Sequence, residues 1–430
     1  MSLKSTFRAL QYKNYRLFFI GQGLSLIGTW MQRIATAWLV YRLTNSIILL
    51  GIAGFAGQIP TFFLSPFGGI IADKWNRKNI FLVTQILALL QALLLAVLVL
   101  TNAITVYLII ILNVCLGIIN AFDITARQSF VVEMIENKED LGNAIALNSS
   151  MVNGARLVGP SITGILIAFT GEGVCFLINS LSYVVIIIAL LAMKIVPRKK
   201  IIKKTNMIFD FREGFIYVWK SVPMRSTIML LALVSLMGMP YQVLMPVFAK
   251  QVLGGGPHTY GFLMGATGLG ALAGAMYLAS RKSIHKIWEM IPVSAVVFGI
   301  GLIMFSLSKN LWISLALLLI VGWGMMVQMA SSNTLLQVLV DDDKRGRIMA
   351  FYAMAFMGMV PFGSLLAGGL GGIIGVRSTV FLGGVLCILG AFYLFGDIHK
   401  AKDIMIAQKK KISSKMEEGI ESSEEVSHSL

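Results

Sequence analysis

The sequence predicts an all-α membrane protein with twelve transmembrane helices in two six-helix pseudo-repeats. Three observations lead there. Of the 430 residues, 57% are hydrophobic and 13% charged, with a mean hydropathy of +0.80. A soluble domain carries roughly 25% charged residues, so a soluble core is excluded. The apolar residues gather into twelve runs long enough to cross a bilayer as helices. Finally, glycines of the first half recur at a fixed interval in the second.

The runs lie at about 15–41, 47–72, 79–101, 104–123, 142–169 and 173–194, then about 224–249, 260–280, 287–307, 311–333, 347–371 and 377–396. A basic arm (Lys4, Arg8, Lys13) precedes the first run. No short apolar region ending in a small-residue cleavage site follows it, so the first span reads as an uncleaved helix. Placing both termini and alternate loops in the cytoplasm puts 30 lysines and arginines on that side. Four remain opposite: Arg42, Lys250, Lys309 and Arg377. This asymmetry orients the chain with both termini cytoplasmic. The net charge of +16 is thereby assigned to cytoplasmic loops, not to a nucleic-acid surface. Cys115, Cys175 and Cys387 all lie within apolar runs at no metal or redox spacing. No metal site, catalytic set or cofactor motif is read.

Polar residues inside spans are costly, so their pattern is informative. The first span carries a stripe of Gln22, Ser25, Thr29, Gln32 and Thr36, with Arg33 beside it. The fourth carries Asn113, Asn120 and Asp123, and the fifth Asn148, Ser149, Asn153, Arg156 and Thr163 on roughly one face. These stripes either line an aqueous cavity or act as polar glue between helices. Arg156, at mid-span, is the sharpest signal. With no carboxylate deep in any span, its partner is either an anionic or electron-rich substrate group or backbone carbonyls opened by Pro160.

A segment of about 195–223 divides the spans six and six. After a basic start it carries Ile208, Phe211, Phe215, Val218, Trp219 and Val222 at helical spacing. The pattern fits an amphipathic helix in the cytoplasmic interface or a partly ordered linker. A shift of 204 residues then aligns Gly142, Gly154, Gly159 and Gly164 with Gly346, Gly358, Gly363 and Gly368. The chain thus divides into an N-terminal half (1–194), a linker (195–223), a C-terminal half (224–398) and a polar tail (399–430) expected to be disordered. Spans 7–12 hold 16 of the 24 methionines, with Gln242 and Gln328 as their main intramembrane polar residues. The methionines fill gaps, or they form a soft wall for varied shapes.

The loop Gly69-Ile70-Ile71-Ala72-Asp73-Lys74-Trp75-Asn76-Arg77-Lys78 resembles the signature loop of the major facilitator superfamily. Gly69, Asp73, Arg77 and Lys78 match, and Asn76 replaces the second glycine, at a bend where a left-handed conformation is expected. Gly69 is expected to admit a neighbouring backbone. Further likeness lies in Ala121-Phe122-Asp123-Ile124-Thr125-Ala126-Arg127-Gln128, Asn143–Ser149, Ala155–Pro160 and Arg345-Gly346-Arg347. Together these look like the branch that includes the enterobactin exporter and macrolide efflux proteins, over about residues 8–398. The resemblance implies the major facilitator fold and alternating access, with a small-molecule site between the halves. Its coupling ion would be H+, in a monomeric carrier. Substrate would meet Arg156, Asn153, Ser149, Gln22, Gln32, Arg33, Asn113, Asn120, Gln242 and Gln328. Gly69, Asp73, Arg77, Lys78, Asp123 and Arg127 would gate it, with Asp73, Arg77 and Asp123 as one charge cluster. Two departures concern proton antiport. Asn113 stands where such antiporters carry an arginine, and the motif around Gly159-Pro160 has altered spacing. An importer, or a receptor or scaffold on the same fold, remains an alternative at this point.

The orientation has a direct check. In a cysteine-free background, a cysteine at Lys204 should be shielded from an impermeant reagent in intact cells. One at Lys309 should label. The reverse pattern would overturn the orientation.

Overall fold

The computed structural model describes residues 7–194, 207–281, 287–341 and 344–399. It is built of helices joined by short turns. In the first half these are α1 (Lys13–Thr44), α2 (Ile47–Lys74), α3 (Arg77–Leu100), α4 (Val106–Val131), α5 (Leu141–Thr170) and α6 (Glu172–Ala192). A short α7 (Met207–Lys220) follows. The second half has α8 (Val222–Val252), α9 (Pro257–Ala279), α10 (Ile287–Leu307), α11 (Leu311–Leu339), α12 (Arg345–Ile374) and α13 (Val376–His399). Among the described residues, eleven of these are long and apolar enough to cross a membrane. α1, 32 residues long, is the twelfth crossing; its polar stripe lowers its hydropathy. The polar tail lies outside the described residues, as does 195–206 of the linker.

Local chemistry sets the turns. Asn45 ends α1 in the left-handed region at φ 48°, which asparagine tolerates better than most residues. Ser46 then caps α2, accepting from the Leu49 amide at 3.2 Å. Asn310 caps α11 by accepting from the Trp312 and Ile313 amides. Asn76, expected at a left-handed bend, instead has φ −68° and caps α3, accepting from the Lys78 and Asn79 amides. It stands there for its side-chain acceptor. α8 is interrupted at Pro240, with wide π turns at Val234–Gly238 and Phe248–Val252. Proline has no N–H to continue the ladder, and π turns absorb the mismatch.

The pairing pattern repeats between the halves. α2 packs on α4, α3 on α4 and α6, and α1 on α6; equivalently α9 packs on α11, α10 on α11 and α13, and α8 on α13. Across the halves, α5 meets α9 and α12 meets α2. These two seams are related by the same repeat. A Cβ on Gly164 would lie 2.7 Å from Gly261 Cα, and one on Gly51 would lie 2.7 Å from Gly368 Cα. Only glycine allows backbones that close.

Both seams lie toward the face opposite the α2–α3 loop. Lys250 Nζ donates to Asn45 Oδ1 at 3.0 Å on that far face, and Trp38 stacks on Tyr260 at 6.2 Å. Toward the α2–α3 face the seams part. Leu157, Ser161 and Gly164 of α5 face Gly268, Gly265 and Gly261, but Gly154, one turn earlier on that side, has nothing within 4 Å. On α12, Gly358 still meets Phe62, but Gly346 is open, and Met354 and Met357 are exposed. The halves thus form a wedge, closed on the far face and open on the α2–α3 face.

α7 lies at the open face. Glu213 pairs with Arg347 at 2.7 Å, the Tyr217 hydroxyl donates to Asp341 at 2.9 Å, and Lys344 Nζ sits 4.5 Å over the Tyr217 ring. The helix expected from the spacing is therefore docked on the α11–α12 turn. At the N-terminus, Asp140 binds Arg8, Gln11 and Tyr12 and so clasps the start of α1 to that of α5.

The seams predict how the wedge responds to bulk. Overpacking costs about 1–3 kcal/mol, enough to shift a two-state balance roughly fivefold to more than a hundredfold. Gly164→Leu should therefore open the far face. Spin labels at Asn102 and Asn310 should move apart in that variant; an unchanged distance would count against the seam as the closing contact.

Candidate functional site

The centre of the wedge is set where α1 touches α5. A Cβ on Gly159 would lie 2.6 Å from Trp30 Cβ, so this glycine lets α1 press Trp30 against α5. Arg33, one turn along α1, holds its guanidinium carbon 4.8 Å from the Trp30 ring centre. Arg156, one turn before Gly159 on α5, holds its own at 5.1 Å from the same ring. Both are cation–π contacts. The two carbons are at most the sum of those distances apart, and the groups feel each other's charge. At about 10 Å and an effective dielectric of about 20, their repulsion is about 2 kcal/mol.

Neither arginine forms an ion pair or hydrogen bond among the described residues. Arg33 is exposed and Arg156 half-buried. Each costs about 2.5–3.5 kcal/mol at mid-span on insertion scales. The other half contributes two phenols, Tyr260 within the field of Arg33 and Tyr241 within that of Arg156. The buried Tyr241 hydroxyl, beside Gln242 and Thr267, makes no hydrogen bond of good geometry among the described residues. Of the two partners open to Arg156 from sequence, the Pro160 carbonyls are not taken: its guanidinium stacks on Trp30. Trp30, Tyr241 and Tyr260 were not read as site residues. Only the Trp30–Arg33 spacing of three carried a signal for them.

The remaining candidates separate into two groups. Ser149 and Asn153 precede Arg156 by two turns and one turn on α5. Ser149 is exposed, Asn153 half-buried, and Asn153 Nδ2 donates to Ser149 O at 2.9 Å. Gln242, half-buried beside the α8 break, donates to Met325 Sδ at 3.9 Å. Asn120 is also half-buried. The α1 stripe, by contrast, points into its own half. Gln32 Nε2 donates to Gln91 Oε1 at 2.9 Å, and Gln32 Oε1 accepts from Asn179 Nδ2 at 2.7 Å, while Thr29 meets Tyr183 at 3.3 Å. Gln22 is buried on the same stripe. Asn113 Nδ2 donates to Ala53 O at 3.3 Å, tying α4 to α2. Gln328 is 1% exposed and reaches Ser332 of its own helix at 3.4 Å. For Gln32 and Asn113 the polar-glue reading accounts for the contacts made.

The gating set divides likewise. α4 runs eight residues beyond its expected end, so Asp123 is inside a helix and buried. It accepts from Thr84 Oγ1 at 3.0 Å and Gln85 Nε2 at 2.6 Å, and pairs with Arg127 at 3.5 Å. Arg77 instead pairs with Glu133 at 3.0 Å and donates to Ser129 O at 3.1 Å. Of the expected Asp73–Arg77–Asp123 cluster, Asp123 and Arg77 thus bind different partners, Arg127 and Glu133. Lys78 Nζ donates to Met193 O at 2.7 Å, holding the end of α6. Gly69 has no neighbour within 4 Å; the close approach is at Gly68, whose Cβ would lie 2.6 Å from Ala121 O. The Asp73 side chain lies outside the described residues.

Twelve crossings, a repeated pairing pattern and a wedge between two halves define a major facilitator transporter. The chain belongs to the transmembrane secretion effector family of that superfamily, matched over residues 4–422. It is 25% identical to the staphyloferrin A transporter of Staphylococcus aureus, over 90% of this chain and 97% of that one. It is 24% identical to the enterobactin exporter of Shigella boydii, over 88% and 91%. In fold it matches a bacterial homologue of the human lysosomal transporter Spinster with a TM-score of 0.71, 13% identity, and 91% and 98% coverage. The chain is a multi-pass membrane transporter of small molecules, not an enzyme.

The Asp123 pair predicts a stability pattern. Removing one member of a buried pair strands the other, at a cost of about 3–5 kcal/mol. Asp123→Ala should lower the melting temperature of the detergent-solubilised protein. Adding Arg127→Ala should recover part of the loss; a double variant worse than the sum of the singles would refute the pairing.

Proposed function

We propose that the chain exports an amphiphilic small molecule by alternating access, driven by an ion gradient, with H+ as the coupling ion. The observation that carries this reading is the wedge, closed at the two glycine seams and open on the α2–α3 face, with Arg33 and Arg156 at the depth where the halves meet. The positive-inside asymmetry supports a cytoplasmic open face, and in this reading substrate loads from inside the cell. The staphyloferrin A transporter and the enterobactin exporter, similar along nearly their whole lengths, support a siderophore-like or drug-like cargo. In this reading Arg156, Asn153 and Ser149 contact substrate from the N-terminal half. Gln242, Met354 and Met357 offer a softer wall opposite. The carrier works as a monomer.

The test is flux in inverted membrane vesicles, using a panel of fluorescent amphiphiles with and without charge. Export predicts gradient-dependent accumulation that a protonophore abolishes. Arg156→Gln should fold and lose more uptake of anionic than of neutral compounds, by about tenfold or more. Equal loss for both would remove Arg156 from the substrate site, and no accumulation of any compound would sink the export reading.

A further inference from the structure

Two cations share one aromatic ring near the middle of the wedge, and no described carboxylate answers either of them. A structural arginine inside a membrane protein ordinarily ends on a carboxylate or on carbonyls. Arg42 shows the ordinary case in this chain, with Nε 2.7 Å from Glu172 Oε1 and Nη2 3.2 Å from Oε2. Arg33 and Arg156 depart from it together and at the same place. They come from different helices, so the coincidence is tertiary and is set by the Gly159 contact that seats Trp30 against α5. We propose that Arg33, Trp30 and Arg156 form a binding site for an organic dianion, one acid group on each guanidinium. The assignment deepens the transport reading and rests on it.

The charge balance favours a dianion over a monoanion. A single negative charge leaves one guanidinium uncompensated in the same low-dielectric place, and two negative charges relieve both. Trp30 supplies the spacing. Because each guanidinium is held over the indole, neither swings freely, and their separation is bounded by the two ring contacts. A ligand whose acid groups match that interval engages both without ordering long side chains, so the second contact is nearly intramolecular. The other half completes the site. Tyr241 is 2% exposed, and its hydroxyl, beside Gln242 and Thr267, makes no hydrogen bond of good geometry among the described residues. An acid oxygen on Arg156 would give it an acceptor. The ligand would then join cations of the first half to a phenol of the second, which is what a substrate must do to bring two halves together.

The experiment measures binding and needs no gradient. The full chain, in nanodiscs, is titrated by calorimetry with linear dicarboxylates of increasing spacer length and with monocarboxylates of equal chain length. Some dicarboxylate in the series should bind at least about tenfold more tightly than its monocarboxylate. Arg33→Gln and Arg156→Gln should each remove that preference, leaving the dianion no better than the monoanion, and the double variant should bind neither. Tyr241→Phe should weaken the dianion without abolishing its preference. Arg33→Lys and Arg156→Lys retain charge and serve if a glutamine variant fails to fold; they should keep part of the preference. Equal affinity for mono- and dicarboxylates throughout the series would overturn the proposal, as would a preference that survives Arg33→Gln. The outcomes separate the two readings. Binding of dianions without flux in vesicles sinks transport and keeps the site. Flux of neutral amphiphiles with no dianion preference keeps transport and sinks the site.

Discussion

The arrangement of this protein depends on backbone touching backbone at two places. Gly51 meets Gly368, and Gly164 meets Gly261, each at a distance no side chain allows. In a bilayer the tails are as apolar as leucine, so helices gain little from hiding apolar surface against one another. Close van der Waals contact does the work instead. Two short seams of that kind are strong enough to close one face and small enough to part. The rest of the wedge follows from where they stop: beyond Gly358 and Leu157 the same helix faces diverge, and the opening between them is what a substrate can reach.

The polar residues of the first half divide along the same geometry. Those on α1 and α4 are spent inside the half. Gln32 bridges Gln91 and Asn179, and Asp123 gathers Thr84, Gln85 and Arg127. A buried polar group without a partner costs on the order of 1–3 kcal/mol, and these groups reduce that cost for one another, although Gln85 Oε1 is left without a partner among the described residues. The result is a half that holds its internal shape while the seams open. The clasp of Asp140 on Arg8, Gln11 and Tyr12 and the Lys78–Met193 contact do the same at its rim. Rigid halves with weak seams are what rocking about a central site requires.

Much of this was legible in the sequence, and the misses have physical causes. Helix positions were readable because apolar length and basic loops are both one-dimensional signals. The end of α4 was misplaced because Asp123 and Arg127 looked like an exit from the membrane; they continue the helix because α3 supplies donors for the carboxylate. Gly69 was preferred over Gly68 on a motif, although which of two adjacent glycines faces Ala121 is a matter of rotation about α2 that neighbouring residues alone do not set. For the stripe on α1 the spacing leaves both a cavity lining and polar glue open, and Gln32 and Thr29 make the second kind of contact. Amphipathic spacing reports that a face is polar, and says nothing of whether that face meets water or another helix. Trp30 was overlooked because its partner Arg156 is 126 positions away in sequence.

Arg33 and Arg156 run against the economy of the rest of the molecule. Elsewhere among the described residues of the first half, arginines are given carboxylates: Arg42 has Glu172, Arg77 has Glu133, Arg127 has Asp123. Only a modest cation–π attraction, about 0.5–2 kcal/mol, answers each central arginine, against an insertion cost of about 2.5–3.5 kcal/mol and their mutual repulsion. A carboxylate beside either guanidinium, of the kind used beside Arg77, would have removed the deficit. Leaving it in place makes the centre of the wedge the least stable part of the half, and the part with most to gain from a negative charge brought from outside. That gain is available only to a ligand that reaches the full depth of the opening, where the phenols of the second half also lie. Affinity and closure would then draw on the same contacts, so a cargo that satisfies the arginines also favours the state that carries it across.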